Sequence, residues 1–119
     1  MKNQPFLRRL RHAVDGIGGA LRGEASLRAQ TLLAIVAIAV LAALRPPLVW
    51  IALCILAAAA VLALELLNTA LEHLADRLHP EIHPAIRAAK DCAAGAVLLA
   101  AATAAIIGLL TLAVSAGVR

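Results

Sequence analysis

The chain has 119 residues, 63% of them hydrophobic, against roughly 45–50% in soluble domains. That balance excludes a multi-domain chain and favours an integral membrane protein over a soluble one. The net charge of +4 comes with only 2% aromatic residues, so nucleic-acid binding is disfavoured and lipid headgroups are the more natural counterpart of the basic residues.

Residues 1–28 are basic and interrupted by glycines. Phe6, Leu10, Val14, Ile17 and Leu21 recur at spacings of three and four, which predicts an amphipathic helix on the membrane surface with Arg8, Arg9 and Arg11 on its wetter side. The alternative is a poorly ordered basic tail. A cleaved signal peptide is not expected, because the apolar run begins only near residue 31. Residues 29–44 carry no charge and predict a first span of about 24 Å, which Arg28 and Arg45 can extend by snorkelling. The Arg45-Pro46-Pro47 sequence then forces a turn. A second span is expected over 48–71, with Trp50 as an interface anchor. A polar connection with two prolines follows over 72–91, and residues 92–118 form a third span. Cys54 and Cys92 lie in apolar surroundings without metal-ligand spacing and read as free thiols. The fold class is therefore all-α, integral membrane, with three spans and an N-terminal surface helix.

With three spans, the N-terminus and the 72–91 connection share one side. That side carries Lys2, Arg8, Arg9, Arg11, Arg22, Arg28, Arg77, Arg87 and Lys90, and the other only Arg45 and Arg119. The imbalance places the N-terminus and the connection in the cytoplasm.

The stretch ALELLNTALEHLADRL, residues 63–78, spends carboxylates where the chain is still apolar. At about 100° per residue, Glu65, Asn68, Glu72 and Asp76 fall within roughly an 80° arc of one helix. Glu65 lies about 26 Å along the helix from Leu48, near the cytoplasmic edge of the hydrocarbon, and Glu72 about 10 Å further, beyond it. A carboxylate at the apolar boundary is costly unless it is paired; such a group suits a general base acting on an alcohol. One in the wet zone suits a hard cation such as Mg²⁺. Asp76 reads equally well as half of a surface ion pair. Lys90 and Asp91 precede the third span, where a lysine either binds phosphate or marks the positive-inside edge. Glu24 is either a second cation ligand or a partner of Arg22 or Arg28. His79 and His83 are four apart, but the prolines that follow each of them, Pro80 and Pro84, spoil a helical metal pair. No phosphate-binding loop of the form G-x-x-x-x-G-K-[ST] and no G-x-S-x-G elbow is present.

The run ELLNTALEHLADR, the later AAKD before span three and EASLR before span one resemble the small integral-membrane diacylglycerol kinases of bacteria over nearly the whole chain. The resemblance implies Mg-ATP-dependent phosphorylation of a membrane lipid alcohol, diacylglycerol, to phosphatidic acid. It implies a homotrimer in the cytoplasmic (inner) membrane with active sites shared between neighbouring subunits. Glu65 would be the catalytic base, with Asn68 orienting the reacting groups. Glu24 and Glu72 would hold the metal and contact the nucleotide. Lys90, Asp91, Glu81, His83, Arg8 and His12 would complete the nucleotide site, and Ala94 would lie beside the lipid. His12 stands where a tyrosine is common, Gln30 where an acid is frequent and Ala94 where a serine is common.

Three alternatives compete. The nearest is the same architecture acting on undecaprenol. The second is a small membrane transporter using an intramembrane Glu, for which a midplane site is expected, whereas Glu65 lies near one face. The third is a structural helix bundle, whose packing Ala57–Ala60 and Gly108 would permit.

Overall fold

The structure, a computed structural model, describes residues 3–118; Lys2 and Arg119, both part of the topology count, lie outside the described residues. Four helices follow one another: α1 (Phe6–Gly23), α2 (Ala25–Leu44), α3 (Leu48–Leu78) and α4 (Pro84–Ser115). Among the described residues there is no strand. Helices α2, α3 and α4 are each long and apolar enough to cross a membrane.

A single residue separates α1 from α2. Glu24 is extended at φ −118° and ψ 114°, and the corner is held by a residue of the following helix. Arg28 donates from Nη1 to the carbonyls of Leu21 (2.9 Å) and Arg22 (2.8 Å). These are among the carbonyls that the end of α1 leaves without helical partners. At its far end α2 stops at Arg45, whose φ of 51° is left-handed. For a non-glycine residue that conformation costs about 1–2 kcal/mol. The following Pro46 and Pro47 have no N–H with which to continue the helix, and Pro46 is buried in the turn.

The polar stretch 72–91 is mostly helix. Helix α3 runs unbroken to Leu78 and α4 begins at Pro84, leaving only residues 79–83 as a connection. Pro84 opens α4, where a missing N–H breaks no helical bond. Just before it, the His83 Nδ1 accepts from the Ala85 N–H at 3.0 Å. The His79 and His83 rings meet edge to face, with centroids 5.6 Å apart.

Helices α3 and α4 pack as an antiparallel pair. One tie is Cys54 to Thr111 at 3.3 Å; the other is Asp76 to Lys90. Position numbers sum to nearly the same value in both pairs, so one register holds along the whole contact. Few side chains are buried: Leu27, Leu41 and Val61, with Pro46 in the turn, are the apolar ones, and Glu65, Thr69 and Thr111 the polar ones among the described residues. Leu32, Leu33, Ile35, Ile106 and Leu109 remain exposed, as side chains facing lipid or a neighbouring protein would be.

Thr111 is 1% exposed; its Oγ1 donates to Ile107 O at 2.7 Å besides meeting the Cys54 Sγ. Thr111→Val keeps the shape and removes both contacts. It is expected to cost no more than about 1 kcal/mol, in line with side-chain hydrogen bonds in other membrane helices. Unfolding in detergent micelles measures this, and a loss of several kcal/mol would mean that Thr111 holds the pair together.

Candidate active site

The acidic stripe of α3 grades from buried to exposed. Val61, Glu65 and Thr69, spaced by four, are buried; Asn68 and Glu72 are half-buried and Asp76 is exposed. Glu65 is 5% exposed and meets the start of α2, where the Ser26 hydroxyl donates to its Oε2 at 3.1 Å. The Asn68 Oδ1 is buried and accepts no hydrogen bond, so an acceptor lies idle one turn from Glu65.

A turn further on, the corner residue Glu24 comes to α3. Its Oε1 lies 3.3 Å from the His73 Nε2. Of the two roles open to Glu24 from its sequence neighbourhood, pairing with Arg28 is not realised, because Arg28 turns back to the α1 carbonyls. Glu24 and Glu72 both lie at this level, half-buried. Among the described residues no group of three or more His, Cys, Asp or Glu is assembled to hold a metal; one or two carboxylates suit Mg²⁺ only when water and phosphate oxygens complete its shell. Among the described residues Glu72 has no ion-pair partner.

The last turn of α3, the connection and the first turns of α4 enclose a cavity of about 180 Å³. Glu81, His83 and Lys90 line it together, with Asp76, His79 and Arg87. Lys90 Nζ donates to Asp76 Oδ1, so Asp76 is half of an ion pair, with Lys90 rather than a sequence neighbour. An ion pair this exposed contributes at most about 1 kcal/mol, and an incoming phosphate can displace it at little cost. Arg8 and His12 stand exposed on α1, and Asp91 and Ala94 exposed on α4, none of them lining this cavity. Between α1 and α3 runs a separate, larger groove of about 730 Å³ with Gly16, Gly19, Thr69, Ala70 and His73 in its walls.

Two participants escaped the sequence reasoning. Ser26 lies within EASLR, but nothing in its spacing ties it to a residue 39 positions away. His73 directly follows Glu72, yet only the fold brings Glu24 to it.

The family described as prokaryotic diacylglycerol kinase matches residues 11–112, a stretch that includes the corner, the acidic stripe of α3 and the cavity at the start of α4. The chain belongs to the prokaryotic diacylglycerol kinase family. It is 38% identical over 99 residues to a Synechocystis protein named diacylglycerol kinase, an alignment spanning 82% of this chain and 57% of that protein. Over 48 residues it is 56% identical to the Bacillus subtilis protein named undecaprenol kinase, spanning 40% of this chain and 39% of that one. The chain thus aligns with well under two thirds of the length of either relative. The three helices long and apolar enough to cross a membrane, together with this family, mark the chain as a multi-pass membrane protein.

Proposed function

We propose that the protein transfers the γ-phosphoryl group of ATP to the hydroxyl of diacylglycerol, giving phosphatidic acid at the cytoplasmic face of the inner membrane. The observation that carries this reading is Glu65: a buried carboxylate on an apolar helix, held by one neutral donor at the edge of the hydrocarbon. A lipid alcohol confined to the headgroup plane would arrive at that depth. Phosphoryl transfer asks for in-line placement and charge neutralisation more than covalent help from the protein. Glu65 takes the proton of the hydroxyl as its oxygen bonds to the γ-phosphorus, and the bond from that phosphorus to the β-phosphate oxygen breaks, releasing ADP. Asn68, one turn of α3 from Glu65, orients the reacting groups. Lys90, released from Asp76, meets phosphate oxygens, and Glu81 and His83 flank the nucleotide; Asp91, Arg8 and His12, which lie outside this cavity, would contact it from beyond its walls. Glu24 and Glu72 would hold Mg²⁺, which when bound offsets the phosphate charge. Ala94 lies along the lipid's path. The exposed apolar flanks leave area for a homotrimer, in which a neighbouring subunit contributes to each site.

Undecaprenol is the second candidate substrate, favoured by the 56% identity to a protein of that name over 48 residues. Diacylglycerol is preferred because the alignment to the Synechocystis protein covers twice as much of the chain. The purified protein, offered both lipids in mixed micelles with γ-labelled ATP, is expected to label diacylglycerol at least about tenfold faster, a difference of about 1.4 kcal/mol in transition-state binding. The reverse ratio would reassign the substrate, and label in neither lipid would overturn the kinase reading.

Orientation has its own test. With Cys54 and Cys92 replaced, Ala85→Cys is expected to resist an impermeant thiol reagent added to intact cells and to react once the cells are opened. Labelling from outside would overturn both the topology and the location of the site.

A further inference from the structure

We propose that Ser26 is a positioning residue for the Glu65 carboxylate, fixing one oxygen so that the other faces the lipid hydroxyl. The inference rests on the reading of Glu65 as general base. An ionised carboxylate only accepts hydrogen bonds, and the Ser26 hydroxyl supplies the one bond that Glu65 receives among the described residues, on Oε2. No cation is paired with it there. That choice of partner has a chemical consequence. A neutral hydroxyl fixes the orientation of the carboxylate through a single directed bond, without placing a counter-charge beside it. Oε1 is left without a protein donor and can approach a substrate hydroxyl within hydrogen-bond reach.

The direction of the Ser26 hydroxyl is itself set by the corner. Serine and threonine in helices commonly bond back to the carbonyl four residues earlier. Thr31, Thr103, Thr111 and Ser115 all do so here. For Ser26 that carbonyl belongs to Arg22, which lies in α1 across the extended Glu24, outside helical reach. The hydroxyl instead crosses to α3. Arg28 closes the end of α1, and Glu24 and His73 fasten the same corner about two turns of α3 from Glu65.

Steady-state kinetics with diacylglycerol and a separate Mg-ATP binding measurement test the assignment in Ser26→Ala, Ser26→Thr and the Ser26→Ala/Glu65→Gln double variant. For Ser26→Ala, kcat is expected to fall about tenfold or more, with lipid KM and Mg-ATP affinity changed by less than about twofold. Ser26→Thr, which keeps the hydroxyl, should recover most of the rate. The double variant should be no slower than Glu65→Gln alone, as for residues that act as one unit. If Ser26→Ala does not assemble, Ser26→Cys, with a weak donor of similar shape, is expected to show the same loss in kcat. A near-normal kcat in Ser26→Ala beside an inactive Glu65→Gln would overturn the role of Ser26 and leave the base in place. A loss confined to KM or to Mg-ATP affinity would overturn it too. An active Glu65→Gln would instead bring down the base on which it rests.

Discussion

Glu65→Gln is expected to lower lipid phosphorylation at least about a hundredfold, the scale of a lost general base, while Mg-ATP binding stays close to normal. The amide has nearly the carboxylate's shape and can still accept from Ser26, so the corner between α1 and α2 should remain docked on α3. What disappears is the group that takes the proton. The substitution separates chemistry from packing because the 5% exposure of Glu65 is equally compatible with a structural carboxylate. A structural role would be served about as well by the amide, and removing a buried charge can even stabilise a fold. A near-normal rate in a correctly assembled Glu65→Gln protein would therefore sink the mechanism while leaving the family assignment untouched.

Glu72→Gln should have the complementary effect: Mg-dependent ATP binding weakened at least about tenfold, the lower end of losses seen when a metal site is disturbed, in a protein that still assembles. Glu72 lies about 10 Å along α3 from Glu65, half-buried and without an ion-pair partner among the described residues. Its replacement by the amide therefore breaks no ion pair among the described residues. Calorimetric titration of ATP with and without Mg²⁺ reads the effect, and wild-type affinity in the variant would remove Glu72 from the metal site. Together the two variants assign proton transfer and nucleotide binding to different turns of one helix.

The spans were legible because each is apolar on nearly every side, and the turn after α2 because two prolines cannot be accommodated in a helix. The stripe of Glu65, Asn68, Glu72 and Asp76 was legible because α3 is unbroken, so periodicity alone puts those residues on one face. The connection was harder to read. Its polar residues and two prolines suggest irregular chain, but Pro84 occupies the first position of α4, where proline starts a helix rather than ending one. The partners of the carboxylates were not legible. Ser26 meets Glu65 and His73 meets Glu24 only because α2 folds back along α3, and charge patterning within a single helix would have chosen Arg28 for Glu24. Lys90 was visible as a cation beside a span, but its engagement by Asp76 depends on the α3–α4 register.

The three spans differ in slack. Helix α2, at 20 residues, is about 30 Å long, no more than the hydrocarbon it must cross. Helices α3 and α4, at 31 and 32 residues, are each more than 45 Å and can tilt or protrude. In a thicker bilayer the longer helices adjust by sliding or leaning, whereas α2 is too short to tilt and the lipid around it must thin instead. Ser26 is the second residue of α2, so the shortest of the three spans sets how deep the bond to Glu65 sits. On the proposed orientation it would act as a ruler, tying the level of the carboxylate to one end of the shortest span rather than to the longer helices.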